Sequence, residues 1–231
     1  MIDKPTEAVI RVARALADMA DEVVFVGGSA VPFMLPASHP YPARATEDVD
    51  CVVPAETTLQ YYTIAGRLRA LGFRECSERG SPICRWLIED LTVDIMPTGS
   101  VALGFNNRWY REVLRAPTEV EFDDNRLLRV ANPAVFLATK FEAFTDRGGG
   151  QPLGDTDIED IITVLAYRKD RAELALYQPP ELRAYLAAEA RKLLEQPNLL
   201  EIISACLPSD KNSQGLVAPI LQALRSLGQL T

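Results

Sequence analysis

Apolar residues recur along this chain in two rhythms. Over residues 6–20 they fall three and four apart, with Val9, Ala13, Leu16 and Ala20 on one side and charges opposite, which predicts an amphipathic helix. The continuous run "EVVFV" at 22–26 reads as a short buried strand, cut by Gly27-Gly28-Ser29 before a short helical turn in "AVPFML". A proline-punctuated loop, "PASHPYPARAT" at 36–46, leads into a second strand, "DVDCVV". The helical period returns in "AETTLQYYTIAGRLRALG". There Tyr61, Ile64, Ala65, Leu68 and Leu71 form the stripe, Arg67 and Arg69 flank it, and Gly72 is placed to cap the end. Two hairpins follow from "ICRWLIEDLTVDIMP" and "EVEFDDNRLLRV", turning at Glu89-Asp90 and at Asp123-Asp124-Asn125.

From Asn132 onward the rhythm is helical. "NPAVFLATKFEAFTDR" has an Asn cap and a Pro at the first helical position. Gly148-Gly149-Gly150 reads as a flexible linker, followed by "DTDIEDIITVLAYR" and two or three further helices to Thr231. The expected class is α+β: a mixed α/β core over residues 1–130, then a helical region over 131–231 that completes a cleft.

Composition narrows the chemistry. With 48% hydrophobic and 24% charged residues in 231, the chain holds one mid-sized domain, or a core with an appendage. No apolar run reaches membrane-spanning length, and the N-terminal stretch lacks the design of a signal peptide, so a cytoplasmic protein with no membrane partner is expected. Cys51, Cys76, Cys84 and Cys206 lack close-paired metal spacing, and the three in strand-like segments read as small apolar filling. His39, the sole histidine, lies in the proline-rich loop, which argues against zinc hydrolysis and Ser-His or Cys-His catalysis. Acid–base or metal chemistry must then rest on carboxylates. A net charge of −8 argues against a broad nucleic-acid-coating surface while leaving room for a local basic groove.

Three features carry that chemistry. In "RATEDVDCVV", Asp48 and Asp50 are two apart on a strand and share a face, whereas Glu47 turns outward. Two such charges about 4 Å apart repel by roughly 4 kcal/mol at an effective dielectric near 20. The fold tolerates this if one carboxyl is protonated or a cation sits between them. The glycines at 27 and 28 would let backbone approach a phosphate, with Ser29 and a helix N-terminus donating to it; an ordinary structural turn has the same spelling. Asp94 faces away from Leu91, Val93 and Ile95, near a strand end that adjoins Asp50. Its partner is either Arg85 across the hairpin or a magnesium ion. Together the three aspartates can hold two magnesium ions on a nucleoside triphosphate, one activating an attacking hydroxyl and one stabilising departing pyrophosphate.

The order "FVGGSA", "RATEDVDCVV", "LTVDIMP" resembles the nucleotidyltransferase superfamily that includes DNA polymerase β. Within it the chain looks most like the AbiEii-type nucleotidyltransferases, known as toxins of two-gene toxin–antitoxin systems. The shared details are "GGSAV", the spacing of Arg44, Thr46, Asp48 and Asp50, the helix "FLATKFEAFTDRG" and the later "DIEDI", over roughly residues 20–170. The resemblance implies that Asp48, Asp50 and Asp94 bind two Mg2+, and that Gly27, Gly28 and Ser29 hold phosphates of an NTP. It places Lys140 near the triphosphate with Arg147 on the same face. Asp157 and Asp160 share a face of the next helix, although plain helix–helix ion pairing explains this second set equally well. Arg44 reaches a phosphate or salt-bridges Glu47. The sequence departs from the group at Thr156, where a basic residue is usual, and Asp155 before it adds negative charge.

By the same resemblance the acceptor is RNA, such as a tRNA 3′ end, and the partner an antitoxin protein. "FNNRWYREV" would stack a base or simply fill core, and a basic groove would have to come from Arg108, Arg111, Arg115, Lys140 and Arg147. A protein hydroxyl as acceptor, and a non-catalytic nucleotide-binding protein that keeps the fold, are the alternatives.

Overall fold

The computed structural model describes residues 3–36, 44–46, 48–99, 107–123, 126–147 and 150–230. Helix α1 (Lys4–Leu16) starts at Asp3, whose carboxylate accepts from the Thr6 amide, and carries Pro5 in its first turn, where a missing N–H costs little. It buries Val9, Val12, Ala13 and Leu16 and stops at Ala17, which adopts a φ of 48°. That residue breaks the expected stripe, so Ala20 lies in a separate 3₁₀ segment, Ala17–Glu22. Strand β1 (Val24–Val26) is correspondingly shorter than the apolar run. Helix α2 (Gly27–Met34) then begins on the first glycine itself, with no intervening turn. Gly27 makes the corner with a φ of 67°, a region open to glycine at no steric cost.

Strand β2 (Asp48–Val53) leads to α3 (Thr58–Ala70), which opens with a Thr57/Gln60 capping box and buries Tyr61, Ile64, Ala65 and Leu68. Gly72, with a φ of 90°, closes it, and the Phe73 amide returns to the Leu68 carbonyl at 3.0 Å. The first hairpin comprises β4 (Arg85–Ile88) and β5 (Leu91–Pro97), preceded by the short β3 (Arg74–Glu75). Helix α4 (Tyr110–Arg115) precedes the second hairpin, β6 (Thr118–Asp123) and β7 (Arg126–Val130), whose tip at residues 124–125 lies outside the described residues.

Among the described residues, these strands form one mixed sheet in the order β3-β4-β5-β2-β1-β7-β6. The pairs β2–β5 and β1–β7 are parallel and the others antiparallel. Apart from the aspartates of β2 and β5, its central strands are largely apolar, and Val24, Phe25, Val52, Val93 and Ile95 are all fully buried. Arg11 on α1 pins the β4–β5 turn by ion pairs to Glu89 and Asp90. Tyr61 donates to the Ile95 carbonyl at 3.0 Å and ties α3 to the same sheet.

The chain divides into two compact units, the second beginning its main run at Pro133 and also holding Leu35 and Pro36. In it, α5 (Pro133–Asp146) is buried continuously from Pro133 to Phe141 and packs against α6 (Thr156–Tyr167) and α7 (Pro180–Leu194). Three more helices follow, α8 (Leu199–Ala205), α9 (Lys211–Gln214) and α10 (Val217–Gly228), so four helices succeed α6 among the described residues rather than two or three. Pro208 and the Asp210 cap break that stretch into pieces too short for periodicity to register. Two residues of the expected glycine linker, Gly148 and Gly149, lie outside the described residues. No helix among the described residues is long and apolar enough to cross a membrane.

Candidate metal and phosphate site

Strand register builds the site. Asp50 on β2 pairs with Asp94 on the parallel β5, Asp94 pairs with Arg85 on the antiparallel β4, and Asp50 pairs on its other side with Val26 of β1. Arg85, Asp94 and Asp50 therefore form a row across adjacent strands and project from one face, with Asp48 two residues along on that face. An oxygen from each of Asp48, Asp50 and Asp94 lies within 4.8 Å of the others, an all-oxygen set of the hard type that magnesium takes. Asp94 lies in the middle of β5, not near its end as expected, and is 8% exposed, whereas Asp48 and Asp50 are half-buried. The parallel β2–β5 pairing, invisible in local pattern, puts it there.

A cation is already present. Arg85 donates from Nε to Asp94 Oδ1 at 2.8 Å and from Nη2 to Asp94 Oδ2 at 2.7 Å. The same Nη2 reaches Asp48 Oδ2 at 3.1 Å. The hydrogen bond to Asp94 holds the guanidinium still further above its ordinary pKa, so it stays charged at every accessible pH. Of the two partners open to Asp94 from sequence, the structure shows Arg85, and the acidic set coexists with it. Behind the row, burial pushes the Cys51 thiol well up, with Asp50 and Asp94 adding to the effect. Burial likewise pushes the Cys84 thiol up to about 12, again with Asp94 contributing. Both cysteines are the inert core filling that the sequence indicates.

The glycine corner adjoins the carboxylates directly. A Cβ on Gly27 would lie 1.9 Å from Asp50 Oδ2, so only glycine leaves room for that carboxylate at the start of α2. Gly28 is buried in the same first turn. Ser29 is fully buried, and its hydroxyl finds no hydrogen-bond partner among the described residues. A buried hydroxyl without a partner, in the first turn of the helix whose corner meets Asp50, is the kind of donor a phosphate takes.

The second predicted group belongs to the helical unit. Lys140 Nζ on α5 meets Asp160 Oδ2 at 2.6 Å and Asp157 Oδ1 at 3.1 Å on α6, while Arg147 pairs with Asp157 Oδ2. Lys140, Asp157 and Asp160 are 8%, 1% and 3% exposed. Asp155, which looked like surplus charge, is the α6 N-cap and accepts from the Asp157 and Ile158 amides. Arg44 donates to the Ala45 carbonyl at 3.4 Å, and its suggested partner Glu47 lies outside the described residues, as does His39.

The aromatic cluster is core. Trp109 and Tyr110 are buried and the Tyr110 hydroxyl meets Met96 sulfur at 3.0 Å, so neither ring is presented for stacking on a base. Arg111 is bonded to Glu56 at 3.0 Å, which it holds below the ordinary carboxylate range, and Arg115 pairs with Glu112 at 3.8 Å. The reach of Arg85 to Asp48, the cap role of Asp155 and the Arg111–Glu56 pair were missed in sequence. Only the cap left a local signal, an Asp immediately before a helical period.

With this geometry the chain was compared with known proteins. No protein-family model matches it, and no curated protein sequence does either. Among solved structures it is similar to an antigenic nucleotidyltransferase-like protein from Paracoccidioides brasiliensis, with a TM-score of 0.50, 19% identity, and 88% of this chain and 94% of that one covered. The fold is nucleotidyltransferase-like. Two further likenesses are to JHP933 from Helicobacter pylori (TM-score 0.47, 15% identity, 99% of this chain and 94% of that one) and to ANT(2″)-Ia in complex with adenylyl-2″-tobramycin (TM-score 0.44, 16% identity, 81% and 99%). At such identities the likeness speaks to the fold and not to the activity.

Proposed function

We propose that this chain is a magnesium-dependent nucleotidyltransferase that moves a nucleoside monophosphate from an NTP to an acceptor hydroxyl. The observation that carries the reading is the convergence of Asp48, Asp50 and Asp94 beside Gly27, at the start of the helix that carries the orphaned Ser29 hydroxyl. Those three aspartates would hold Mg2+, whose chemistry when bound is to stabilise charge on the attacking and leaving oxygens. The protein's own part is to hold phosphate. The Ser29 hydroxyl and the first-turn amides of α2 donate to phosphate oxygens, and Gly27 leaves the space in which backbone and carboxylate meet. No histidine is needed, which suits a chain with one.

The AbiEii-type resemblance extends this to an RNA acceptor such as a tRNA 3′ end, and to a toxin held by a cognate antitoxin. It rests on motif order and on the pairing of a lysine helix with an acidic helix. One observation favours a second reading of the acceptor: Arg111, Arg115, Lys140 and Arg147, four of the five residues of the suggested basic groove, are each engaged by a carboxylate. Basic side chains so neutralised suit a protein hydroxyl better than a polyanion.

The test is incubation with α-labelled NTPs and Mg2+, offering total RNA and cell protein as acceptors, for the wild type and the Asp48→Ala plus Asp50→Ala variant. Label should enter RNA or protein with the wild type and neither with the variant. NTP binding without transfer to either acceptor would instead identify a non-catalytic nucleotide-binding protein.

A further inference from the structure

A cavity of about 330 Å3 lies between one face of α1 and the starting ends of β2 and β5, wholly within the sheet unit. Its size falls at the low end of the roughly 300–1,000 Å3 typical of ligand sites, which suits one ring or one side chain. Pro5, Val49 and Leu91 give it an apolar wall, and Asp48 stands in the same lining. An occupant is therefore held against a residue of the carboxylate cluster. The charges around the cavity narrow what that occupant is. Three carboxylates, Glu7, Asp48 and Asp90, line it against two cations, Lys4 and Arg11. Arg11 is engaged by Glu89 and Asp90. Lys4 and Glu7, three apart on α1, make no ion pair among the described residues. One free ammonium amid a negative excess is a poor match for a phosphodiester chain. An uncharged group with an apolar body and a hydroxyl tip matches both the apolar wall and the polar rim.

We propose that this cavity receives the acceptor, and that the acceptor group is a tyrosine side chain of a partner protein. The inference rests on reading the chain as a nucleotidyltransferase and names the acceptor for that reaction. The phenolic oxygen attacks the α-phosphorus of the NTP and forms the new O–P bond. The bond from that phosphorus to its bridging oxygen breaks, pyrophosphate leaves, and the phenolic proton passes to solvent. A phenol, with a pKa of about 10, gives up that proton more readily than a serine or threonine hydroxyl. That suits a chain with a single histidine. Lys4 and Glu7 bond the peptide groups that flank the tyrosine, the first donating and the second accepting.

The experiment offers total cell protein and total RNA, with α-labelled NTPs and Mg2+, to the whole chain, and maps the labelled residues by mass spectrometry. Wild type is compared with Ala8→Phe, which fills the cavity from α1, and with Lys4→Ala plus Glu7→Ala. Each variant is checked for NTP binding and for its thermal unfolding transition. With the wild type, label should sit on tyrosine. At unchanged NTP binding, Ala8→Phe should slow protein labelling about tenfold or more, and the double Ala variant about threefold or more. Label on RNA alone, or on serine or threonine in place of tyrosine, would overturn the proposal and leave the nucleotidyltransferase reading standing. Tyrosine labelling undiminished in both variants would overturn it too, because the acceptor then enters elsewhere. The double Ala variant decides this even if Ala8→Phe does not fold, since Lys4 and Glu7 are exposed. NTP bound with no label on either acceptor would overturn the nucleotidyltransferase reading and the proposal with it.

Discussion

Two clusters of opposite charges occur in this molecule, and they are built to different ends. On the sheet, three carboxylates converge, two of them, Asp94 and Asp48, share the Arg85 guanidinium, and Asp48 and Asp50 are half-buried. Between α5 and α6, two carboxylates meet two basic groups, and the lysine with both aspartates is buried. The first lies beside a glycine corner, with two of its carboxylates reached by solvent. The second buries its lysine and both aspartates. In the reading proposed above, the acidic set that solvent can reach is the place for a ligand, and the buried set holds two helices at one register. Spacing alone made the two look alike.

The contrast is open to breaking. The largest effect is expected at the sheet. Asp50→Asn should lower nucleotidyl transfer by about a thousandfold or more, since the several kcal/mol that a bound metal ion supplies are lost, while a urea unfolding midpoint changes little. Lys140→Met should show the reverse. Removing the ammonium that both carboxylates meet should cost about 3–5 kcal/mol of stability in the same unfolding measurement. Activity per folded molecule should change far less than in Asp50→Asn. A stable Lys140→Met protein that has lost transfer would place nucleotide chemistry in the helical unit and dissolve the distinction.

Gly27→Ala sharpens the first half of the comparison. Its Cβ would overlap the Asp50 carboxylate, and its φ is positive, so about 1–3 kcal/mol of strain is expected together with weakened Mn2+ binding. Asp155→Ala tests the second half: loss of the α6 cap should cost about 1 kcal/mol, read by unfolding, with no change in metal binding. The smallest effect belongs to an exposed pair outside both clusters, Arg67 with Glu22. Arg67 holds Glu22 below its ordinary value of 4.5, so the pair stabilises the fold above that pH and its contribution fades as pH falls through the lower native value. Glu22→Gln should remove only about 0.2–1 kcal/mol near neutrality, and should flatten the acid limb of the stability curve slightly.

What was legible in sequence follows the reach of each signal. The strand Asp48–Val53, the Glu89-Asp90 turn, the α3 stripe and the convergence of Asp48 with Asp50 are local patterns, readable within ten or so residues. Arg85 opposite Asp94 was also local, because a tight hairpin sets its register. The step from Arg85 to Asp48 was not, since it crosses from β4 over β5 to β2 and depends on a parallel pairing between distant segments. The aromatic residues Trp109 and Tyr110 resisted for a different reason. A ring beside arginines has the same spelling whether it stacks on a ligand or fills core, and burial alone separates the two. The start of α2 on Gly27 was hidden because glycine weakens a helical pattern even where its φ is what the corner needs.

The central claim is that the sheet cluster, and not the helical one, holds the chemistry. Transfer of α-labelled nucleotide in the presence of Mg2+ should be measured side by side for the wild type, Asp50→Asn and Lys140→Met, each normalised to its folded fraction. Loss of transfer in Asp50→Asn with transfer retained in Lys140→Met is the expected result. Retained transfer in Asp50→Asn would contradict it, whatever Lys140→Met shows.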